Sequence, residues 1–433
     1  MTASTLNVAI IGSGLSGLAL ALTLHQQSIP CTIYEAGESP LNTGGGLMLP
    51  ANGLKILDKL AVSEPLRKRG YSFDRIYLQV GERILEAVDY GGLERYGIRA
   101  LRAYRFIVLE ELLAAVKEKS IPIHFNRRFN HIISETESDV TWQFKDGSTE
   151  TASLLVGADG IHSTVRSYLA PDIKPVFASM VAIVAAVPTA QLELPSAPEA
   201  TSATDLNAAS NIYPLPTGII VPRLGAFVIA PQTHNGDEVM ITVQRPMTIE
   251  GRWADIDADK DYLRSLFRQN SEHFPSVVQN AVRHIPSDQL NIWPFYNIPR
   301  LERWTSAKTQ GGFGRVIIVG DSAHALPPSA GQGVNQAFED VYLLGRVLGR
   351  LGSGRNASNE ILQQALFGWQ SFRQARVDRV LELNRQMDLR RMPKAPGATE
   401  EKEEELLDIA AMYDWLFNID FEKAVDECLK GLD

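Results

Sequence analysis

A glycine-rich motif near the N-terminus is the first group of residues whose types and spacing point to chemistry. Its three glycines follow a short run of branched apolar residues that is typical of a buried parallel strand. Glycines at this spacing form a tight turn and let the first turn of a helix approach a pyrophosphate. Glu35 ends the second predicted strand, where a carboxylate can accept hydrogen bonds from ribose hydroxyls. The predicted dinucleotide contacts are Gly12, Gly14, Leu15, Gly17, Glu35 and Ala36.

Two further motifs each add a carboxylate. Residues 156–166 contain Asp159 followed by Gly160, and residues 320–335 contain Asp321 directly after a predicted buried strand. A short carboxylate in that position can accept two hydrogen bonds from hydroxyl groups.

The third motif continues into a turn rich in proline and glycine. This turn leads into a helix that is predicted to begin near Val334. A flat ring can approach glycine backbone closely because no Cβ intervenes. The helix N-terminus would favour negative charge on such a ring. The predicted contacts of the ring are Gly331, Gly333, Val334 and Asn335.

Together, the three motifs resemble those of the FAD-dependent aromatic hydroxylases. These are single-component flavoprotein monooxygenases and include para-hydroxybenzoate and salicylate hydroxylases. The resemblance runs from the N-terminus to about residue 380 and implies that Asp159 lies near the pyrophosphate of FAD. It also implies that Asp321 holds the ribityl hydroxyls and that Arg105 lies along the cofactor. Gly46 and Leu47, in the glycine loop that begins at residue 44, are implied to lie beside the isoalloxazine ring.

The resemblance also implies a reaction. NADPH or NADH binds transiently and reduces FAD, and dioxygen then gives a flavin hydroperoxide. One oxygen atom passes to an aromatic, phenolic or indole-like small molecule, and water and oxidised FAD remain. Two alternatives stay open, namely the same chemistry on a non-aromatic substrate (epoxidation or Baeyer–Villiger oxidation) and a flavin-binding protein without redox activity. A halogenase is disfavoured, because the six tryptophans do not form the Trp-x-Trp-x-Ile-Pro signature.

The sequence does not assign a catalytic acid or base. The candidates are polar side chains on the predicted sheet that would face the flavin, with a structural or surface role as the alternative for each. They are Tyr213, Arg223, His234 and Arg245. The predicted strand from Met180 to Val187 has no charged residue, so the arginine that some relatives carry there is missing. This argues against an arginine-anchored phenolate substrate.

Composition limits the possible partners. The chain has 433 residues, with 42 Lys and Arg against 51 Asp and Glu, giving a net charge of −9. This balance argues against the basic stripe of a nucleic-acid binder. The two cysteines exclude a disulfide framework and favour a cytoplasmic location. No membrane span and no metal-ligand pattern is found in the sequence. The expected partners are therefore a small-molecule substrate and dioxygen, and the expected state is a monomer or homodimer.

The elements that position the motifs predict an α/β fold. We expect a Rossmann-like FAD-binding domain with an inserted antiparallel β-sheet substrate domain and C-terminal helices. The predicted FAD-binding domain comprises residues 1–75, 99–175 and 301–380, and the substrate side comprises a β-hairpin at 76–98 and a sheet at 176–300. Residues 381–433 form the predicted C-terminal helical segment. Shorter predictions are a helix over 110–119, a strand over 212–215 and a helix opening in the acidic run 400–405.

Three side chains outside these contacts are expected to be structural. His324 follows Asp321 by three residues and is predicted to order the loop of the third motif. Arg373 and Arg376 resemble the paired arginines of the family's late helix, and we interpret them as structural salt-bridge donors.

Overall fold

The computed structural model describes residues 6–40, 45–195, 213–248, 251–307, 311–352, 358–391 and 407–432. The strands are β1 (Val8–Ile11), β2 (Cys31–Tyr34), β3 (Gly46–Leu49), β4 (Tyr71–Phe73), β5 (Arg75–Val80), β6 (Arg83–Asp89), β7 (Ala100–Tyr104), β8 (Ile123–His124), β9 (Phe129–Glu135), β10 (Val140–Phe144), β11 (Thr149–Ala152), β12 (Leu154–Gly157), β13 (Val176–Pro188), β14 (Thr217–Val221), β15 (Gly225–Pro231), β16 (Glu238–Pro246), β17 (Asn291–Asn297) and β18 (Val316–Ile318).

The α-helices are α1 (Leu15–Gln26), α2 (Ala51–Lys59), α3 (Ser63–Arg67), α4 (Leu93–Tyr96), α5 (Arg105–Glu118), α6 (Arg166–Leu169), α7 (Trp253–Ala258), α8 (Lys260–Arg268), α9 (Ser276–Ala281), α10 (Asp321–His324), α11 (Gly333–Gly352), α12 (Asn359–Arg391), α13 (Ile409–Phe417) and α14 (Phe421–Cys428).

A five-stranded parallel sheet carries the N-terminal glycine motif. Its strand order is β18-β12-β1-β2-β8, and each neighbouring pair is parallel. Every residue of β1 and β12 is buried, as expected where a parallel sheet is covered on both faces. Helix α1 contacts both α5 and α11, so these three helices belong to one core with the parallel sheet.

A seven-stranded sheet forms the second unit, in the order β17-β13-β16-β15-β14-β5-β6. Its pairs are antiparallel except for β14 with β5. Side chains alternate between its faces because successive residues of a strand point to opposite sides. The outer face, which includes Val181 and Ile183, packs against α8 and α9. The inner face, which includes Ala182 and Val184, lies toward the small sheet β3-β7-β4.

The C-terminal helices join both units. Helices α12 and α13 pack on β5, β6 and α2, and the hydroxyls of Tyr90 and Tyr413 are hydrogen-bonded at 2.7 Å in this core. Helix α14 packs on the core of the parallel sheet through Phe421 and Val425.

The structure differs from two of the shorter predictions. Helix α5 begins at Arg105 rather than at residue 110, because Ile107 and Val108 already supply buried contacts in its first turn. Tyr213 to Leu215 precede β14 instead of forming a strand, since Pro214 and Pro216 have no N–H for a ladder. Residue 212, the acidic run 400–405 and Gly44 lie outside the described residues.

Candidate active site

The glycine motifs and carboxylates lie in a row along one edge of the parallel sheet. Asp321, Asp159, Gly12 and Glu35 follow β18, β12, β1 and β2, which are neighbours in that order. The carboxyl ends of parallel strands meet at one edge, where ligands of open α/β sheets bind. The structure thus brings the three sequence motifs together.

Two glycines of the first motif are fixed by close packing, and one faces open space. A Cβ on Gly17 would lie 2.0 Å from the carbonyl oxygen of Gly12, so α1 approaches the turn as closely as its backbone allows. Gly12 has a φ of +106° and lies against the backbone of Ala158. At Gly14, by contrast, no atom lies within 4 Å of the Cβ position. The start of α1 is therefore open to a ligand at Gly14 and rigid on either side.

Glu35 is held by the same turn. Its Oε2 accepts hydrogen bonds from the backbone N–H of Ser13 at 2.9 Å and from the Ser13 hydroxyl at 2.7 Å. Its Oε1 accepts from the N–H of Gly37 at 2.9 Å. Glu35 and the adjacent Ala36 are half-buried. The carboxylate is thus oriented at the end of β2 with part of its surface open.

Asp159 organises the second motif. Its Oδ2 accepts hydrogen bonds from the N–H groups of Thr164 and Val165, at 2.7 and 3.1 Å. Its Oδ1 accepts from the hydroxyl of Ser322 at 3.2 Å. Asp159 therefore ties its own loop to the residue after Asp321.

Asp321 is the carboxylate most open to a ligand. It is the first residue of α10 and its side chain is exposed to space at the sheet edge. The surrounding protein nonetheless desolvates the charge and raises the pKa of Asp321, although the charges of His324 and Arg105 oppose this. Burial lowers the pKa of Arg105, and the negative charge of Asp321 opposes that shift. The charges of Asp321 and Arg105 are therefore close enough to attract each other.

The turn before α11 is tied to the β3 strand. The side-chain amide of Asn335 donates to the carbonyls of Met48 and Gly331, at 3.0 and 2.8 Å. No atom lies within 4 Å of the Cβ position of Gly333. The N-terminus of this 20-residue helix is consequently open, and its dipole favours negative charge there. Val334 is half-buried beside this opening.

A buried ionic network anchors α11 from behind. Arg373 donates from Nε to Asp340 at 2.8 Å and also pairs with Glu339, while Arg376 donates from Nε to Glu339 at 2.6 Å. His324 Nε2 lies 2.6 Å from Asp340. Burial alone would raise the pKa of Asp340, but the charges of His324 and Arg373 outweigh it and lower the pKa. These contacts agree with the structural roles predicted for His324 and both arginines.

The glycine loop faces the inner face of the large sheet. A Cβ on Gly46 would lie 2.5 Å from Nε2 of Gln232 and 2.7 Å from Nη2 of Arg102. The ring of Trp293 lies 3.7 Å from the Cβ position of Gly45. Leu47, on the opposite side of β3, packs against the core of the parallel sheet. The loop therefore lies between the two units, next to Trp293 of the large sheet.

Sequence reasoning missed the polar side chains that lie between the two units beside this loop. Arg102 and Gln232 are both buried, and Tyr104 donates a short hydrogen bond to Glu238 beside them. Burial raises the pKa of Tyr104, and the bond to Glu238 adds to the shift. A signal existed in β7, where the polar side chains of Arg102 and Tyr104 alternate with the apolar Leu101 and Ala103.

The polar candidates from the sequence are placed elsewhere, which corrects their expected location. Tyr213 is buried in the outer-face core, and Arg245 donates to the carbonyl of Gln269 on the outer side. Arg223 lies in the exposed turn between β14 and β15, and His234 Nδ1 lies 2.9 Å from the carbonyl of Arg67. The physical reason is strand parity: odd-numbered residues of β16 face outward, and the other three candidates lie outside the strands.

The residues present fit FAD. The open helix N-terminus at Gly14 suits phosphates, and the one at Gly333 suits a reducible ring. The carboxylates of Glu35 and Asp321 suit the hydroxyl groups of the ribose and of the ribityl chain. Within the described residues, no group of three or more His, Cys, Asp or Glu side chains could hold a metal ion. No described helix has the length and apolar character needed to cross a bilayer.

Two carboxylates along one sheet edge, near a second sheet whose inner face carries Phe295 and Trp293, suit an enzyme of the class of flavin-dependent monooxygenases. The chain belongs to the family described as FAD binding domain, whose model matches residues 5–381.

Known proteins similar to the chain include a monooxygenase, a hydroxylase and a protein bound to FAD. A 3-amino-4-hydroxybenzoate 2-monooxygenase from Streptomyces platensis is 26% identical over 79% of this chain and 79% of its own length. The structure of HpxO from Klebsiella pneumoniae, complexed with FAD and uric acid, superimposes with a TM-score of 0.71 at 21% identity, covering 98% of this chain and 96% of that one. A salicylate hydroxylase substrate complex gives a TM-score of 0.73 at 20% identity, covering 99% and 98%.

These comparisons confirm the predicted fold class, the FAD cofactor and the class of flavin-dependent aromatic monooxygenase. They favour the aromatic interpretation over the two alternatives that the sequence left open. The roles of the individual site residues and the domain boundaries stay predictions.

Proposed function

We propose that the protein is an FAD- and NAD(P)H-dependent monooxygenase that hydroxylates an aromatic, phenolic or indole-like small molecule. The observation that carries this proposal is the alignment of Glu35 and Asp321 along one sheet edge with the Gly45–Gly46 loop between that edge and an aromatic inner face. In the balanced reaction, the nicotinamide supplies two electrons and dioxygen supplies both oxygen atoms. One oxygen enters the substrate and the other leaves as water.

Several side chains would hold the cofactor. Glu35, fixed by Ser13, accepts from the ribose hydroxyls, and Asp321 accepts from the ribityl hydroxyls. Gly14 and Gly333 allow the ligand to reach the open N–H groups of α1 and α11. Bound FAD supplies the electron transfer from nicotinamide and the activation of dioxygen.

The inner face of the large sheet would hold the substrate and exclude water. Ala182, Val184, Met240 and Phe295 form an apolar cluster there, with Trp293 packed against it. An apolar wall suits an aromatic ring and protects a reactive oxidant from water. The loop at Asp159 and Gly160 is our proposed contact for the transient nicotinamide, because it adjoins Ser322 at the same edge.

The experiment is a coupled turnover screen. The purified protein should be yellow, and a panel of phenols and indoles should include one that accelerates NADPH or NADH oxidation. The product should gain the mass of one oxygen atom, drawn from labelled dioxygen and not from labelled water. Asp321→Ala should lose FAD and turnover together, whereas the surface variant Arg252→Met should keep both. A colourless protein that takes up no added FAD, or a flavoprotein reduced by neither NADPH nor NADH with any substrate, would contradict the proposal.

We also propose a cytoplasmic location and a monomeric or homodimeric state. The two cysteines, Cys31 and Cys428, are buried and free, which suits a reducing compartment. Cell fractionation and light scattering of the holoenzyme test the two statements separately.

A further inference from the structure

The turn that leads into α11 is held by residues from the C-terminal part of the chain. Residues Pro328–Ala330 form a short 3₁₀ helix in this turn. The N–H of Ala330 donates to Oδ1 of Asn384 at 2.7 Å, and the guanidinium of Arg391 donates to the carbonyl of Ser329. Both partners lie near the end of α12. Two backbone groups of the turn therefore depend on this helix.

A pair of buried tyrosines lies against a third backbone group of the turn. The hydroxyl of Tyr90 lies 3.4 Å from the carbonyl oxygen of Ala330 and 2.7 Å from the hydroxyl of Tyr413 on α13. Tyr90 is 3% exposed, and Tyr413 and Ala330 are fully buried in the same core. Two phenylalanines could fill this core without the cost of burying two hydroxyl groups. The polar pair therefore points to a role other than packing.

Helix α13 is itself fixed to elements that surround the cofactor site. Arg376 donates to the carbonyl of Leu416 at 3.0 Å, and Lys55 donates to the carbonyl of Phe417 at 3.0 Å. Cations at the last carbonyls of a helix also interact favourably with its dipole. Lys55 lies on α2, the helix that follows β3, and Arg376 belongs to the ionic network behind α11. The position of Tyr413 is thus fixed relative to both β3 and α11.

The turn connects these contacts to the predicted site of the flavin ring. Gly331, a predicted ring contact, follows Ala330 directly and has a φ of +64°. Its carbonyl accepts a hydrogen bond from Asn335, which also donates to the carbonyl of Met48 on β3. Pro328, by contrast, is exposed at the start of the turn. A displacement of Ala330 would therefore move Gly331 relative to the rest of the cofactor site.

Most of these contacts come from beyond the part of the chain that the family model matches. The match ends at residue 381, whereas Asn384, Arg391 and Tyr413 follow it. We propose that these three residues and Tyr90 are positioning residues that fix the turn and so set the position of the flavin ring. We call this set the C-terminal clamp. The proposal rests on the proposed function through the predicted contact between the ring and Gly331.

Binding of FAD to the apoprotein tests the C-terminal clamp without substrate or nicotinamide. A turn that is already fixed loses little conformational freedom when FAD binds, so loss of the clamp should lower the affinity. Titration measures the Kd for FAD. The visible circular dichroism of the flavin, recorded at saturating FAD, reports the surroundings of the ring. The melting temperature of each apoprotein measures folding separately.

The double variant Tyr90→Phe/Tyr413→Phe keeps both rings and removes both hydroxyls. Removal of both partners of a buried hydrogen bond is nearly neutral for stability, so the apoprotein should keep its melting temperature. Its Kd for FAD should rise about 2- to 10-fold, the range for one net hydrogen bond, and its flavin dichroism should change. Tyr96→Phe is the matched control, because Tyr96 lies in the same core and its hydroxyl interacts with Asp414.

Asn384→Leu removes the acceptor of the Ala330 N–H. This variant should melt at a lower temperature and bind FAD about 2- to 10-fold more weakly. Val425→Ala is its matched control, because Val425 is fully buried on α14 in the core of the parallel sheet and should lower the melting temperature alone. If Asn384→Leu failed to fold, the double tyrosine variant would decide the question.

Two outcomes would overturn the inference. One is that the double tyrosine variant binds FAD as tightly as Tyr96→Phe and with the dichroism of the wild type. The other is that Val425→Ala weakens FAD binding as much as Asn384→Leu, because the affinity would then follow overall stability. A wild-type protein that binds no FAD would refute the proposed function itself, whereas normal FAD binding by every variant would refute only the clamp.

Discussion

Ser13 donates both its backbone N–H and its hydroxyl to the same oxygen of Glu35, at 2.9 and 2.7 Å. The turn that is expected to approach the pyrophosphate thus also fixes the carboxylate that is expected to bind the ribose. Because these bonds already fix the rotamer of Glu35, its side chain loses little conformational freedom when a ligand binds to the open face of the carboxylate.

Removing the Glu35 carboxylate should therefore weaken FAD binding more than removing one of the hydrogen bonds that hold it. Glu35→Ala removes the acceptor and should raise the Kd of the apoprotein for FAD about 10- to 100-fold, or about 1.4–2.7 kcal/mol. Ser13→Ala keeps the carboxylate and loses one of its holding bonds, so a smaller increase is expected. Titration of apoprotein with FAD, followed by flavin fluorescence, measures both. Equal and unchanged values would remove Glu35 from the site.

Alanine at Gly17 should lower the stability of the apoprotein, whereas alanine at Gly14 should lower its affinity for FAD. At Gly17 the new methyl would lie 2.0 Å from the Gly12 carbonyl oxygen, so α1 must move and the apoprotein should lose about 1–3 kcal/mol of stability. At Gly14 the methyl meets no protein atom, so the apoprotein should keep its melting temperature while FAD affinity falls.

Thermal unfolding gives a melting temperature for each apoprotein, and FAD titration gives a Kd for each, so the two variants are compared in both properties. A Gly14→Ala variant with normal FAD affinity would show that no ligand approaches the start of α1.

Asp321→Asn should lower the affinity for FAD and raise the stability of the apoprotein. Folding raises the pKa of Asp321 above its ordinary value of 3.8, so the charged form destabilises the apoprotein at every pH above the folded-state pKa. That cost disappears as the pH falls through the folded pKa toward 3.8. The asparagine variant should therefore melt at a higher temperature than wild type at about pH 7, and the gain should vanish in acid.

The same variant should bind FAD about tenfold more weakly, because an ionised acceptor of hydroxyl bonds is lost. The measurement is the melting temperature of both apoproteins across the pH series, with FAD titration at neutral pH. A variant that is less stable than wild type at neutral pH would contradict the sign of the shift.

The parallel sheet and its motifs were predictable because local sequence encodes them. Gly12, Gly17 and Glu35 are set by one strand, one turn and the next strand, all within about thirty residues. The carboxylate at Asp321 was predictable for the same reason, since it follows a buried strand directly.

The polar contact between the two units was not predictable in this way. Arg102 and Gln232 are 130 residues apart and meet only because the small sheet containing β7 packs on the inner face of the large one. Nothing local indicates which face of β16 is inner, and a shift by one residue exchanges the two faces. The candidates Tyr213 and Arg245 were therefore chosen for chemistry on a sheet whose orientation the sequence left undetermined.

The buried ions behind α11 should control stability far more than any exposed pair. Arg373 is fully buried and neutralises both Glu339 and Asp340, so Arg373→Met leaves two buried carboxylates with one fewer cation. Removal of one partner of a buried pair costs about 3–5 kcal/mol. Arg252→Met is the matched control, because Arg252 pairs with Asp255 at the surface with its side chain 84% exposed, and such pairs contribute about 0–1 kcal/mol.

Chemical denaturation of both holoenzymes measures the difference. FAD should also dissociate more easily from Arg373→Met, since Asp340 holds the N–H of Gly320 directly before Asp321. If the two arginine variants unfolded at the same denaturant concentration, the network would contribute no more than a surface ion pair. The start of α11 would then depend on its apolar packing alone.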